Sequence, residues 1–375
     1  MTTHPPRCSI QSILIDNNNW ERYKLNHPEL DPYKASEVDK MLLCCNPKKG
    51  YFVVYCEHCS EGTVVHLRCN SKVCTNCGTK YVDQWVKKQK RKLLEETHRL
   101  VTLTVPADLR PLLKDRWNLL RILQESANET IVKVASKKLR KQVKIGMLVG
   151  LQTYGQDMKF HPHVHCMIVE KVIFNGQLID FKYVPKQMLR RVWTDTLIKN
   201  LCRGDVSHQD KILLHSMEDK YPYGFITDVG KRSMRRVEVI RYLARYMRHP
   251  AIANRRILFY GRDKVIIRLV DKQKREYSTW YHVDEFIAKM IQHIQPKQFR
   301  VVRWYGLYSR REVRLNRKHN EQRLETISSE IDSRKMVFRC KKCNNPMIYE
   351  FIMPNKPPDK RFSREQLDYW IQLAN

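Results

Sequence analysis

No stretch of this 375-residue chain approaches the roughly 18 consecutive apolar residues that would span a bilayer. Its start, Met1 to Gln11, has no basic stretch followed by an apolar one, so no export signal is expected and the reading is cytoplasmic, close to the nucleoid. Acidic residues are in short supply: 39 Asp and Glu stand against 70 Lys and Arg, for a formal net charge of +31. A wholly disordered basic tail is excluded all the same, because 42% apolar and 10% aromatic residues can fill a sizeable core. No internal repeat is visible. At about 100–200 residues per domain, the length suits two or three domains. The positive charge is spread along the chain, and a field of that kind attracts polyanions, of which nucleic-acid phosphates are the commonest large ones.

Cysteine is plentiful, with twelve in all. Five of them, Cys56, Cys59, Cys69, Cys74 and Cys77, crowd into 22 residues. Without an export signal, that spacing points to metal thiolates rather than disulfides. Cys56-x2-Cys59 and Cys74-x2-Cys77 let four thiolates converge on one structural zinc, with Cys69, His66 and His58 as spare ligands. Cys340-x2-Cys343 supplies half of another site.

Hydropathy patterning mixes strands and helices without strict β-α-β alternation. This predicts an α+β fold, with helices flanking a central antiparallel sheet and a small zinc-binding module before it. Strands are expected at 100–105, 146–154, 163–169 and 299–304, and a hairpin over 257–270. Helices are expected at 81–97, 112–140, 185–201, 237–249, 284–294 and 363–373. An irregular segment is expected after 201. The chain divides in this reading into an N-terminal segment of unknown role (1–50), a zinc module with a basic helix (51–97), a main domain (98–308) and a basic linker with a cysteine element (309–375).

Two motifs carry chemistry. In His161-Pro-His163-Val-His165, residues two apart on a strand share a face, so His163 and His165 project together as a metal-ligand pair. A divalent ion needs a third ligand from the paired strand, and Gln152 and Gln156 are both candidates. In Tyr242-Leu-Ala-Arg-Tyr246, two phenols lie one helical turn apart, with Arg241, Arg245 and Arg248 as nearby DNA-binding cations. Either motif alone has a plain reading as surface histidines or core-edge tyrosines.

Taken together and in order, they resemble the HUH single-strand nucleases, named for histidine–hydrophobic–histidine. More narrowly, the chain resembles the two-tyrosine rolling-circle transposases of the insertion-sequence-ninety-one type. The matching stretches run from Leu103 to Arg110, Leu151 to His165, Tyr242 to Tyr246, Ala251 to Arg256 and Arg303 to Tyr308. The resemblance implies an HUH endonuclease domain and a catalytic Mg²⁺ or Mn²⁺ beside the structural Zn²⁺. It also implies Tyr242 and Tyr246 as nucleophiles that form 5′-phosphotyrosine links while nicking and joining single-stranded DNA at element ends and in target DNA. It favours Gln152 as the third ligand and leaves Gln156 open. Trp85, Trp193, Trp304 and Tyr305 could stack on bases, but most of them read as core residues and none is counted as a site. A plasmid replication initiator or relaxase shares this chemistry, and a non-enzymatic zinc-ribbon nucleic-acid binder would explain the charge and cysteines but not the other motifs.

Overall fold

In a computed structural model, described residues are 8–46, 50–89, 92–182, 184–244, 250–271, 273–309 and 339–352, with Glu312, Glu365, Leu367, Tyr369 and Trp370. Three short helices lead: α1 (Ile10–Ile15), α2 (Asn19–Asn26) and α3 (Pro32–Leu42). A hairpin of β1 (Tyr51–Tyr55) and β2 (Gly62–His66) precedes α4 (Thr75–Gln89). Then come β3 (His98–Thr104), α5 (Arg110–Leu113), α6 (Trp117–Leu139), β4 (Lys144–Tyr154), β5 (Phe160–Phe174) and β6 (Gln177–Asp180). Helices α7 (Lys186–Cys202) and α8 (His208–Lys220), strand β7 (Thr227–Met234) and α9 (Arg236–Ala244) follow. The chain continues through β8 (Ile257–Gly261), β9 (Lys264–Val270), β10 (Glu276–His282), α10 (Val283–Ile291), β11 (Val302–Tyr305) and β12 (Ile348–Ile352).

The main sheet runs β11-β4-β5-β3-β7, with β6 also paired to β5, and all its pairings are antiparallel. Strands β4 and β5 are its centre and are apolar on both sides over much of their length, as strands covered on both faces must be. Helices α6 and α7 pack together against the sheet, and Gln124 of α6 donates to the carbonyls of Val149 and Val301. Helix α9 is seated against β4 at Gly150, where a Cβ would lie only 3.0 Å from a Leu243 δ-carbon, and α4 packs against α9. The absent side chain at Gly150 therefore sets how closely the tyrosine-bearing helix approaches the sheet.

A second core joins α1, α2 and α3 to the three-stranded sheet β10-β9-β8 and to α10. A third, smaller one gathers Tyr51, Val53, Tyr55 and Val64 with Ile352, Leu367 and Trp370, where β12 extends the β1–β2 hairpin. Packing thus divides the chain differently from the boundaries read along it. Residues before 50 share a core with 251–294, which interrupts the main sheet between α9 and β11.

Most expected elements appear, with shifted ends. Helix α4 starts six residues before the expected 81, because its first turn follows directly on Cys74, and it does not reach the expected 97. The segment after 201 contains α8, so the irregular reading there was wrong: Ser207 and Asp210 form a reciprocal capping box that starts a helix. Strands β1, β2, β6, β7, β10 and β12 were not anticipated. Apart from Ser309 and Glu312, the expected linker 309–335 lies outside the described residues, as do the ends of the helices at 237–249 and 363–373. Among the described residues, no helix is long and apolar enough to cross a membrane.

Candidate active site and cysteine centres

Alternation along β5 turns His163 and His165 to one face and buries Val164 completely on the other. On β4, Gln152 stands opposite His163 and Gly150 opposite His165; on β3, Thr104 and Thr102 do the same. His165 is buried at the junction of these strands and α9. Its Nε2 lies 3.0 Å from Gln152 Oε1, and its Nδ1 lies 3.2 Å from Thr102 Oγ1 and 3.3 Å from the Tyr242 hydroxyl. The Tyr242 ring meets the imidazole edge-on at 5.4 Å between centroids. His163 Nδ1 is 2.7 Å from the His161 carbonyl. A carbonyl only accepts, so Nδ1 carries the proton and the His163 lone pair is on Nε2.

The electrostatics keep these rings neutral. Burial, and then His163 beside it, push His165 down to about 3. Burial, then the Arg110 guanidinium and His163, push His161 down to about 4, and His163 is lowered by burial and by Arg110. Neutral imidazoles with available lone pairs are what a metal requires. Two imidazoles and an amide oxygen suit a divalent ion such as Mn²⁺ or Mg²⁺. In this structure Gln152 Oε1, an acceptor, meets His165 Nε2 at 3.0 Å, so an ion held by both atoms would take the place of the proton between them.

Gln156 does not join this group. Its Oε1 accepts from the Val270 N–H at 3.0 Å, and its carbonyl accepts from the Arg256 guanidinium. Of the two glutamines, Gln152 lies beside the histidines, whereas Gln156 lies past the last residues of β4 and faces β9. Arg241 is exposed on α9. Tyr246, Arg245 and Arg248 lie outside the described residues. Sequence reasoning missed Thr102, His161 and Arg110. Arg110 ends the motif stretch that begins at Leu103, and its buried Nε has no hydrogen-bond partner among the described residues. Of the expected stacking aromatics, Trp193 is fully buried and donates to the Thr104 carbonyl at 2.9 Å, while Trp85, Trp304 and Tyr305 pack against the main core.

The five clustered cysteines separate into two tetrads rather than one site. Cys69, Cys74 and Cys77 meet Cys44, with Sγ separations of 3.6 Å for Cys44–Cys77, 3.5 Å for Cys44–Cys74 and 3.6 Å for Cys69–Cys77. Cys56 and Cys59 meet Cys343 and Cys340, at 3.4 Å for each of the pairs Cys56–Cys343 and Cys59–Cys340. The one-site reading failed because β1 and β2 carry the first pair away from α4, which holds the second at its N-terminus. Cys56-x2-Cys59 and Cys340-x2-Cys343 are folded alike. Ser60 and Asn344 both adopt positive φ, and the N–H of each first cysteine bonds to the carbonyl five residues on. The neighbouring thiols draw Cys44 below the ordinary thiol range and push Cys69 above it. Four thiolates with no open position suit structural zinc, whose bonds of about 2.3 Å would set the sulfurs nearly 3.8 Å apart. Neither His66 nor His58 belongs to either tetrad.

The family described as "Putative transposase" matches residues 146–316, and that described as "Transposase zinc-binding domain" matches residues 15–105. The transposase for insertion sequence element IS801 of Pseudomonas savastanoi pv. phaseolicola is 25% identical over 325 residues, covering 80% of this chain and 76% of that protein. The sequence described as "Putative transposase y4qJ" of Sinorhizobium fredii (strain NBRC 101917 / NGR234) is 22% identical over 324 residues, covering 81% and 80%. No solved structure matches the chain.

Proposed function

We propose that this chain, a transposase of the insertion-sequence-ninety-one type with an N-terminal zinc-binding region, nicks and joins single-stranded DNA through tyrosine esters. The observation that carries this reading is the Tyr242 hydroxyl 3.3 Å from His165 Nδ1, on the imidazole whose other nitrogen meets Gln152. A divalent ion held by His163, His165 and Gln152 would supply Lewis-acid polarisation of the scissile phosphate. Were Nε2 of His165 to hold the metal, its Nδ1 would carry the proton. It could then donate to the Tyr242 oxygen or to Thr102, stabilising the phenolate form of the nucleophile. Arg110, with an unpaired Nε beside His161 and His163, is placed to neutralise a phosphate oxygen.

In the step itself, Tyr242 Oη bonds to phosphorus and the bond to the 3′ oxygen breaks. The 3′ oxygen takes up a proton, and the 5′ end stays on the enzyme as a phosphotyrosine. Attack by another 3′-hydroxyl reverses the exchange and joins strands without a nucleotide cofactor. Tyr246, four residues on in the sequence, is the proposed second nucleophile, so that one end stays held while another is cut.

The test is a labelled single-stranded oligonucleotide from an element end, incubated with Mn²⁺ and resolved on denaturing gels. Wild type should form a covalent adduct, each Tyr→Phe variant should fail in complete strand transfer, and the double variant should form none. An adduct in the double variant would place the nucleophile elsewhere.

A further inference from the structure

We infer that the outer face of the β8–β10 sheet is a stacking platform for single-stranded DNA, separate from the histidine–tyrosine site. One face of this sheet is core: Val265, Ile267, Leu269 and Tyr281 are buried against the N-terminal helices and α10. On the opposite face, Ile266 pairs with Phe259 on β8 and with Trp280 on β10. Directly opposed residues share a side of a sheet, so the three form one row across all three strands. Phe259 is 50% exposed and Trp280 58% exposed, which makes this row an unusual concentration of uncovered aromatic surface.

The flanking residues favour nucleic acid over an apolar partner. In the next row along, Gly261, Lys264 and His282 are paired. A Cβ at Gly261 would lie 2.9 Å from the Phe259 ring, so the missing side chain lets that ring lie along the strand. The Lys264 ammonium sits 4.8 Å from the Trp280 ring centroid. On the other side of the row, Arg268 is paired with Ser278. Residues 251–282 carry eight Lys or Arg against three Asp or Glu. A hydrophobic protein partner would bury these cations at a cost. A single strand would stack its bases on the rings and bring its phosphates to the cations, and stacking of this kind needs no particular base.

The platform is fastened to the proposed catalytic strand. Tyr281 donates to the Asp157 carbonyl at 2.7 Å, and Gln156 accepts from the Val270 N–H at 3.0 Å. Both bonds hold the turn between β4 and β5, just before His161 and His163. A strand lying on the sheet is thereby kept in fixed relation to the histidines, which gives Gln156 a positioning role in place of a ligand role. This inference rests on the strand-transfer reading above for its choice of single-stranded DNA.

The test compares binding of a 20-nucleotide oligothymidine, labelled at one end, with binding of a duplex of equal length. Trp280→Ala and Phe259→Ala should each weaken oligothymidine binding by about fivefold to a hundredfold. They should leave duplex binding within about twofold, because that binding is set by phosphate charge. Trp280→Phe, which keeps a ring, should bind nearly as wild type. Unchanged oligothymidine binding in Trp280→Ala would overturn the platform, as would equal losses for single strand and duplex. Adduct formation measured on the same proteins separates the two proposals. A wild type that makes adducts while Trp280→Ala binds normally defeats the platform alone. A wild type that makes no adduct yet binds through Trp280 defeats the strand-transfer chemistry alone.

Discussion

His165 shows how far single residues were legible. The pairing of His163 with His165 followed from strand periodicity, which is local, whereas the approach of Tyr242 to the histidines was implied only by the resemblance. The choice between Gln152 and Gln156 did not follow from periodicity, because both fall near the end of one strand and only the register with β5 puts Gln152 opposite His163. We predict that Gln152→Ala raises the Mn²⁺ concentration needed for half-maximal cleavage by about 10–100-fold, as expected when the surroundings of a metal site are disturbed. Gln156→Ala should leave that requirement unchanged, and titration of cleavage against Mn²⁺ distinguishes them. A second prediction concerns stability. Burial pushes His98 down to about 4, and its Nε2 lies 2.7 Å from the Tyr308 hydroxyl. The unfolded imidazole titrates near 6.5, so this contribution is fully present above pH 6.5 and is lost as pH falls toward 4. Between pH 7.5 and pH 5 the loss amounts to about 2 kcal/mol. Urea melts at the two pH values should show a smaller pH difference for His98→Asn, which cannot titrate. An identical difference in the variant would remove His98 from the account.

At the scale of elements, helices and hairpins with strong periodicity were readable, and the errors have identifiable causes. Helix α8 announced itself only through Ser207-x2-Asp210, a weaker form of the capping signature than one ending in Glu or Gln. Strand β12 pairs with β1 across almost 300 residues of chain, a contact that no local pattern encodes. The same distance hid the partners of Cys56 and Cys59. The tetrads predict two zinc ions per chain. Elemental analysis of Cys340→Ser/Cys343→Ser should find one, with α4 and its Cys44, Cys69, Cys74 and Cys77 centre intact. Cys74→Ser/Cys77→Ser should also lose one ion and should destabilise the N-terminal region more, because that centre lies in the second core. A single zinc in wild type, or two retained in the Cys340/Cys343 variant, would contradict the assignment of separate centres.

Over the whole molecule, the charge of +31 and the α+β class were apparent from composition and pattern, whereas the division into cores was not. Helices before residue 50 and strands after 256 become one packing unit only in three dimensions. Because the positive charge is distributed, DNA affinity and strand cleavage should separate. His163→Ala/His165→Ala should bind single-stranded DNA within about twofold of wild type, with a similar salt dependence, while cleaving none. Cleavage at the wild-type rate would show that the ion is held elsewhere. The central claim is that Tyr242 is the nucleophile beside His165, and it is tested most directly by locating the covalent bond. Wild type should be trapped on a single-stranded substrate with Mn²⁺, digested, and its nucleotide-bearing peptide sequenced by mass spectrometry. The account predicts a phosphotyrosine at Tyr242, with Tyr246 carrying the remainder. A nucleotide on any other residue, with Tyr242 unmodified, would contradict it.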